Sequence, residues 1–323
     1  MLVETWRGSV VETRHVVHAA VVDRDGRLRA RAGDPELVTF WRSGAKPFQA
    51  QPLVDDRVLD HFGITPAELA LTCASHSSEP EQVQLVRDLL AKIGCSERDL
   101  VCGPHPPLSE RVARDYATRG VRLTAAYSNC SGNHAAMLAL ARHHGWPVEF
   151  YARPDHPVQQ RCLGEVARWS EVPVEGIGTA VDGCGVVCFA IPVRSMAVAY
   201  AKLGAADPGR AGVVAAMLRH PELVAGAGRP CTEMMRAHPG RVVTKAGAAG
   251  VYCAILLHEG WGIALKVADG QSDAAALAMA ATLLALGLVP QPEQLMSRPL
   301  VNTRGEMVGE MRVSGGLEMT DGG

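Results

Sequence analysis

Ser43 and Lys46 stand three residues apart in the run Arg42-Ser-Gly-Ala-Lys-Pro-Phe-Gln-Ala50. Positions i and i+3 share one face of a helix, so a hydroxyl and an amine at this spacing can meet. A neutral lysine amine can take the serine proton and create an alkoxide-like nucleophile, and a helix N-terminus favours the developing negative charge. Pro47 suits a first helical turn. Alone, the pair also fits a surface lysine beside a capping serine. Composition favours the chemical reading. The chain has 5 lysines against 27 arginines, so Lys46, Lys92, Lys202, Lys245 and Lys266 include a larger share of positions where an amine is needed. Arginine stays protonated and cannot serve as a base.

Three further runs carry chemistry. Lys245 lies in Val242-Val-Thr-Lys-Ala-Gly247, an apolar strand in which a lysine is costly unless it faces a site. Cys73-Ala-Ser-His-Ser-Ser-Glu-Pro80 sets hydroxyls and a histidine before an acidic helix start; it reads either as capping or as Ser75 in a pocket. Cys130 and His134, in Asn129-Cys-Ser-Gly-Asn-His134, share a helical face, and Cys184 arrives from a glycine-flanked turn after Asp182. Two thiols and an imidazole could hold zinc, or line a pocket without metal.

The elements that must position these residues are legible from periodicity. Residues 2–12 alternate, 15–22 are apolar, Asp23-Arg-Asp-Gly26 is a turn signal, and Val38-Thr-Phe40 follows: an N-terminal β-meander. Helical spacing covers 66–72, 80–93, 131–144 and 273–288, the last stopped at Pro290. The apolar runs 241–254 and 260–268 read as a hairpin, 306–313 as a last strand, and 315–323 as a loose tail. Strands thus cluster at both ends and helices between them. This predicts an α+β fold in one domain over 1–323, with a sheet lobe from about 1–60 and 235–315 and a helical lobe inserted over about 61–234.

The net charge of −2 on 323 residues gives no reason to expect a nucleic-acid or membrane partner. The N-terminal run, with Glu4 and Arg7, does not read as an export signal, and the apolar stretch 274–290 is better explained as a buried helix than as a membrane span. Nine cysteines without a small-domain framework read as cytoplasmic thiols.

Lys245 followed by a small residue and glycine resembles the K-T-G element that accompanies S-x-x-K in serine β-lactamases and penicillin-binding proteins. More specifically, six ordered runs resemble the L-asparaginase II family of the Rhizobium etli type. They are Arg42–Ala50, Ser75–Pro80, Asn129–His134, Asp155-His-Pro-Val-Gln159, Asp182-Gly-Cys184 and Thr244-Lys-Ala-Gly-Ala-Ala-Gly-Val-Tyr252. The resemblance implies a fold like serine β-lactamases and glutaminases, a homodimer, and hydrolysis of L-asparagine, a small-molecule amide, by a Ser-Lys mechanism without an organic cofactor. It implies two pairs, Ser43 with Lys46 and Ser75 with Lys245, with Asp182, His134 and Asn133 near the substrate. It also implies a zinc site on Cys130, Cys184 and a lysine. Asn133 stands at that lysine's position, and an amide oxygen is a poor substitute for an amine beside thiolates, so zinc is left open. Cys231 stands where the family more often has an acidic residue. The alternatives are a glutaminase or other Ser/Lys acyl hydrolase, and a non-catalytic zinc or small-molecule binding protein on the same scaffold.

Overall fold

The computed structural model describes residues 1–206, 212–289 and 291–320. Pro290, read as a helix stop, and the last three residues of the tail lie outside them. The chain forms two compact units. One comprises Met1–Gly44, Ala190–Ala206 and Glu233–Gly323; the other comprises Ala45–Phe189 and Asp207–Thr232.

The strands are β1 (Leu2–Arg7), β2 (Val10–Asp23), β3 (Leu28–Ala32), β4 (Val38–Phe40), β5 (Gly178–Val181), β6 (Val187–Pro192), β7 (Val242–Ala246), β8 (Val251–Leu256), β9 (Trp261–Val267), β10 (Ser297–Val301), β11 (Met307–Ser314) and β12 (Glu318–Met319). In the first unit they build a sheet of order β10-β11-β1-β2-β9-β8-β7, with β3 on β2. Both ends of the chain therefore enter one sheet, and with the helices the architecture is α+β. Helices Val193–Ala206 and Ser272–Ala285 both pack on β8 and β9. This explains why these strands are apolar almost throughout rather than alternating: β8 is buried at every position. Gly262 is where helix and sheet touch, because a Cβ there would lie 2.0 Å from the Ala197 carbonyl oxygen.

Three expectations need correction. The run 241–254 is not one strand. Ala249 and Gly250, with φ of 55° and 73°, turn the chain between β7 and β8, and Gly247 N–H donates to Val251 O at 2.8 Å. The tail is not loose at residues 318 and 319, because β12 pairs with β3 and Glu318 meets Arg31 at 3.0 Å. The middle of the chain is not wholly helical, since it holds β5 and β6, and β6 pairs with β4 from Val38↔Pro192 to Phe40↔Ala190.

The second unit is mainly helical. Pro66, Pro80 and Pro157 each open a helix in its first turn, where the missing N–H costs nothing. At its centre lies Ser131–His144, buried from Ser131 through Ala141 and stopped by Gly145 in the left-handed region. Gly132 lets this helix come close to the end of Pro66–Thr72: a Cβ there would sit 2.4 Å from the Leu71 carbonyl oxygen. Among the described residues no helix is long and apolar enough to cross a membrane.

Candidate active site

In the second unit Lys46 opens the helix Lys46–Asp55 and is buried. Its Nζ donates to Ala74 O at 2.5 Å, Ser75 Oγ at 3.3 Å and Cys130 Sγ at 3.1 Å. Ser75 leaves the helix Pro66–Thr72 on a loop pinned on both sides. Ser75 N–H donates to Val224 O and His76 N–H to Asn129 O; Ser77 Oγ donates to Ala225 O and Ser78 Oγ to Tyr127 O. Gly226 fits against Ser77 only without a side chain, since a Cβ would lie 2.6 Å from Ser77 Oγ. The helix that follows is capped by Glu79 and Gln82 and not by the hydroxyls, since Ser77 and Ser78 donate elsewhere, while Ser75 reaches the lysine.

Cys130 is surrounded by polar groups. His105 Nδ1 donates to Pro106 O at 2.7 Å, so Nε2 must accept, and it accepts Asn129 N–H at 3.0 Å. Asn129 Oδ1 lies 2.9 Å from His105 Nε2 and 3.3 Å from Cys130 Sγ. The Cys184 thiol also hydrogen-bonds Cys130. Cys184 sits in the turn that Asp182 closes through Asp182 N–H to Val186 O and Gly185 N–H to Asp182 O. The hydrogen bond from Cys184, with the charge of Lys46, holds the Cys130 thiol well below the usual range; that bond, burial and the Cys130 charge push Cys184 up. Of the two, Cys130 is the one that gives up its proton first.

Tyr151 Oη accepts Val101 N–H at 3.1 Å and lies within hydrogen-bond distance of His134 Nδ1 at 2.6 Å. Burial and the nearby Lys46 charge lower the pKa of His134 to about 3, so it stays neutral. Its Nε2 and both polar atoms of Asn133 are buried without a hydrogen-bond partner. The Asp155–Gln159 run supports this arrangement from behind: Gln159 donates to Tyr151 O and accepts from Val187 N–H.

The first unit carries Ser43 and Lys245. Ser43 lies in the turn Arg42–Ala45 after β4 and is half-buried. Lys245 is buried in β7, pairs across the sheet with Cys253, and donates to Ala246 O at 2.7 Å. The Ser43 turn lies against this hairpin, because Trp41 Nε1–H donates to Cys253 Sγ at 3.3 Å. Within the units, the structure thus gathers Lys46, Ser75, Cys130 and Cys184 in one place and brings the Ser43 turn beside the strand of Lys245 in the other. The contact of Cys130 with Lys46 and the roles of Asn129, His105 and Tyr151 were not foreseen; no spacing in the sequence signals them.

A buried amine on a serine hydroxyl, backed by a cysteine whose pKa is lowered, in an α+β chain is an arrangement suited to hydrolysis through an activated nucleophile. The family model for L-asparaginase II matches residues 3–313, and the chain belongs to that family. It is accordingly a hydrolase of the amidohydrolase kind. No curated protein matches it. Among solved structures it is similar to a β-lactamase from Mycobacterium bovis, with 16% identity, 84% of this chain and 94% of that chain covered, and a TM-score of 0.35. It is also similar to a simvastatin synthase mutant from Aspergillus terreus, with 11% identity, 78% and 84% covered, and a TM-score of 0.34. At such scores the likeness adds nothing to the family assignment.

Proposed function

We propose that this chain hydrolyses the side-chain amide of L-asparagine to L-aspartate and ammonia. Once its third proton rests on the Cys130 sulfur, the neutral Lys46 Nζ takes the proton of Ser43 Oγ as that oxygen attacks the amide carbon. Backbone N–H groups, that of Ser43 among them, stabilise the oxyanion. The proton goes on to the leaving nitrogen, ammonia departs, and an ester on Ser43 remains until water hydrolyses it. Ser75 and Lys245 relay protons and orient Lys46; Asp182 faces the substrate ammonium. The carrying observation is the buried Lys46 amine hydrogen-bonded to Ser75 and Cys130, in a member of this family. The unpartnered His134 Nε2 and Asn133 amide support their assignment to substrate contacts, as groups left for a bound molecule. A homodimer is part of the proposal on the family resemblance alone.

Ammonia release from asparagine and glutamine, beside the colour change of a chromogenic β-lactam, tests the substrate. Asparagine is expected to be preferred, and a glutamine preference would replace the reading with a glutaminase. Ser43→Ala should abolish turnover with the fold intact. A second reading, in which Ser75 is acylated, is favoured by the 3.3 Å contact from Lys46. Trapping with a slow hydroxamate substrate and mapping the modified peptide distinguishes the two serines.

Zinc at Cys130 and Cys184 does not suit the residues present. Lys46 Nζ already donates to Cys130 Sγ, the third position offers only the neutral Asn133 amide, and among the described residues no group of three or more His, Cys, Asp or Glu is placed to hold a metal. No step above passes through a metal.

A further inference from the structure

The residue before Ser43, Arg42, has a φ of 53°, a left-handed conformation that a non-glycine side chain adopts only when its surroundings over-determine it. The surroundings here are visible within the first unit. Residues Trp41 to Gly44 form a tight turn closed by Gly44 N–H donating to Trp41 O at 3.1 Å, with Arg42 and Ser43 at its corners. Both ends are fixed. Trp41 is fully buried, and its Nε1–H donates to Cys253 Sγ on β8. Gly44 presents its carbonyl to Tyr200 Oη, which donates to it at 2.7 Å from the helix Val193–Ala206. Tyr200 and Trp41 also pack on each other, ring centroids 6.0 Å apart at 59°. The fit is close enough to exclude any larger residue than glycine at two points. A Cβ on Gly44 would sit 2.7 Å from Trp41 Cδ1, and one on Gly247 would sit 2.8 Å from Trp41 O.

We propose that Tyr200 is a positioning residue for the Ser43 nucleophile: by holding the Gly44 carbonyl it keeps the strained turn, and with it the Ser43 hydroxyl, at one angle. The inference rests on the reading in which Ser43 is acylated. It adds to that reading a residue 157 positions downstream of Ser43 that touches no reacting atom. The physical reason is the asymmetry of the turn. The Arg42 strain would relax if either end were free, and the Tyr200 hydroxyl is a single polar contact holding one end, whereas Trp41 is held by its whole ring. Removing the hydroxyl leaves the Gly44 carbonyl without that donor and lets the corner residues rotate. Small misplacement of a nucleophile lowers the rate of attack far more than it lowers substrate binding.

The test is Tyr200→Phe, which keeps the ring and removes only the hydroxyl. Steady-state kinetics on asparagine should show kcat reduced about 10- to 100-fold with KM within about 2-fold of wild type. A merely structural contribution would lower the active fraction and the thermal midpoint together, so active sites are counted in parallel by titration with a slow acylating substrate. Gly44→Ala is the second variant, because it pushes the turn off Trp41 while leaving Tyr200 in place; the same kcat-selective loss is expected. Ser43→Ala is measured first. If that variant keeps its activity, the underlying nucleophile assignment fails. If Ser43→Ala is inactive while Tyr200→Phe retains wild-type kcat per active site, the positioning inference is overturned on its own, whatever Gly44→Ala does.

Discussion

The two compact units hold their chemically active residues by opposite means. Around Ser43 the constraint is steric: a left-handed residue, two glycines that admit no Cβ and two buried aromatic rings. Around Lys46 it is electrostatic: a buried amine, a cysteine whose pKa is lowered and a backbone carbonyl, hydrogen-bonded to one another in a buried cluster. A steric cradle keeps its geometry at any pH but tolerates no added atom. A polar cluster tolerates changes of shape but fails when one partner is removed, because the remaining group is left buried and unpaired.

The largest effect should come from breaking the polar cluster. Lys46→Met should lower kcat by about 10²- to 10⁴-fold, as for loss of a general base. Lys46→Arg should be similarly inactive, because a guanidinium does not give up its proton. Recovery of activity in the arginine variant would show that Lys46 contributes only charge. Next in size is a steric change in the second unit, which asks whether close packing matters there too. Gly132→Ala forces a Cβ onto the Leu71 carbonyl and should cost about 1–3 kcal/mol in urea unfolding at neutral pH. An unchanged midpoint would mean that the helix Ser131–His144 can shift without loss.

A smaller, pH-dependent effect is expected from the buried histidines of the polar unit. Burial and then the Lys46 charge lower His76 to about 3, and it stays neutral between Ser131 Oγ and Ser78 N–H. An unfolded histidine takes up a proton below about pH 6.5 whereas this one does not, so stability falls as pH drops from about 6.5 towards 3, by up to about 1.4 kcal/mol per pH unit. His76→Asn should remove that share of the slope, read as the difference between wild-type and variant unfolding curves at pH 7 and pH 5. Equal slopes would place the acid sensitivity elsewhere. The smallest effect concerns metal. Dialysed protein should contain far less than one zinc per chain, and a chelator should leave turnover unchanged. Asn133→Lys, which restores the family's amine, should raise zinc content. Stoichiometric zinc in the wild type would overturn the view that Lys46 takes the place of a metal at Cys130.

Much of this molecule was determined by the sequence alone. The helices Pro66–Thr72 and Ser131–His144 carry their periodicity and their stop signals in local residue types, and the sheet built from both chain ends follows from where the strands lie. Ser43, Lys46 and Lys245 stand out because S-x-x-K spacing and the scarcity of lysine are properties of the string itself, whereas the pairing of Ser75 with Lys245 is implied by the family resemblance. Which groups touch was decided only by the tertiary structure. Lys46 meets Ser75 and Cys130, 29 and 84 residues away, where Gly132 lets one helix come onto another. Tyr200 reaches Gly44 across 156 residues of chain. Hydrogen bonds and buried charges depend on distances of a few ångströms between remote segments, and no local pattern encodes such distances. The same physics sets the pKa of Cys130, which is lowered by the donors that folding brings around it.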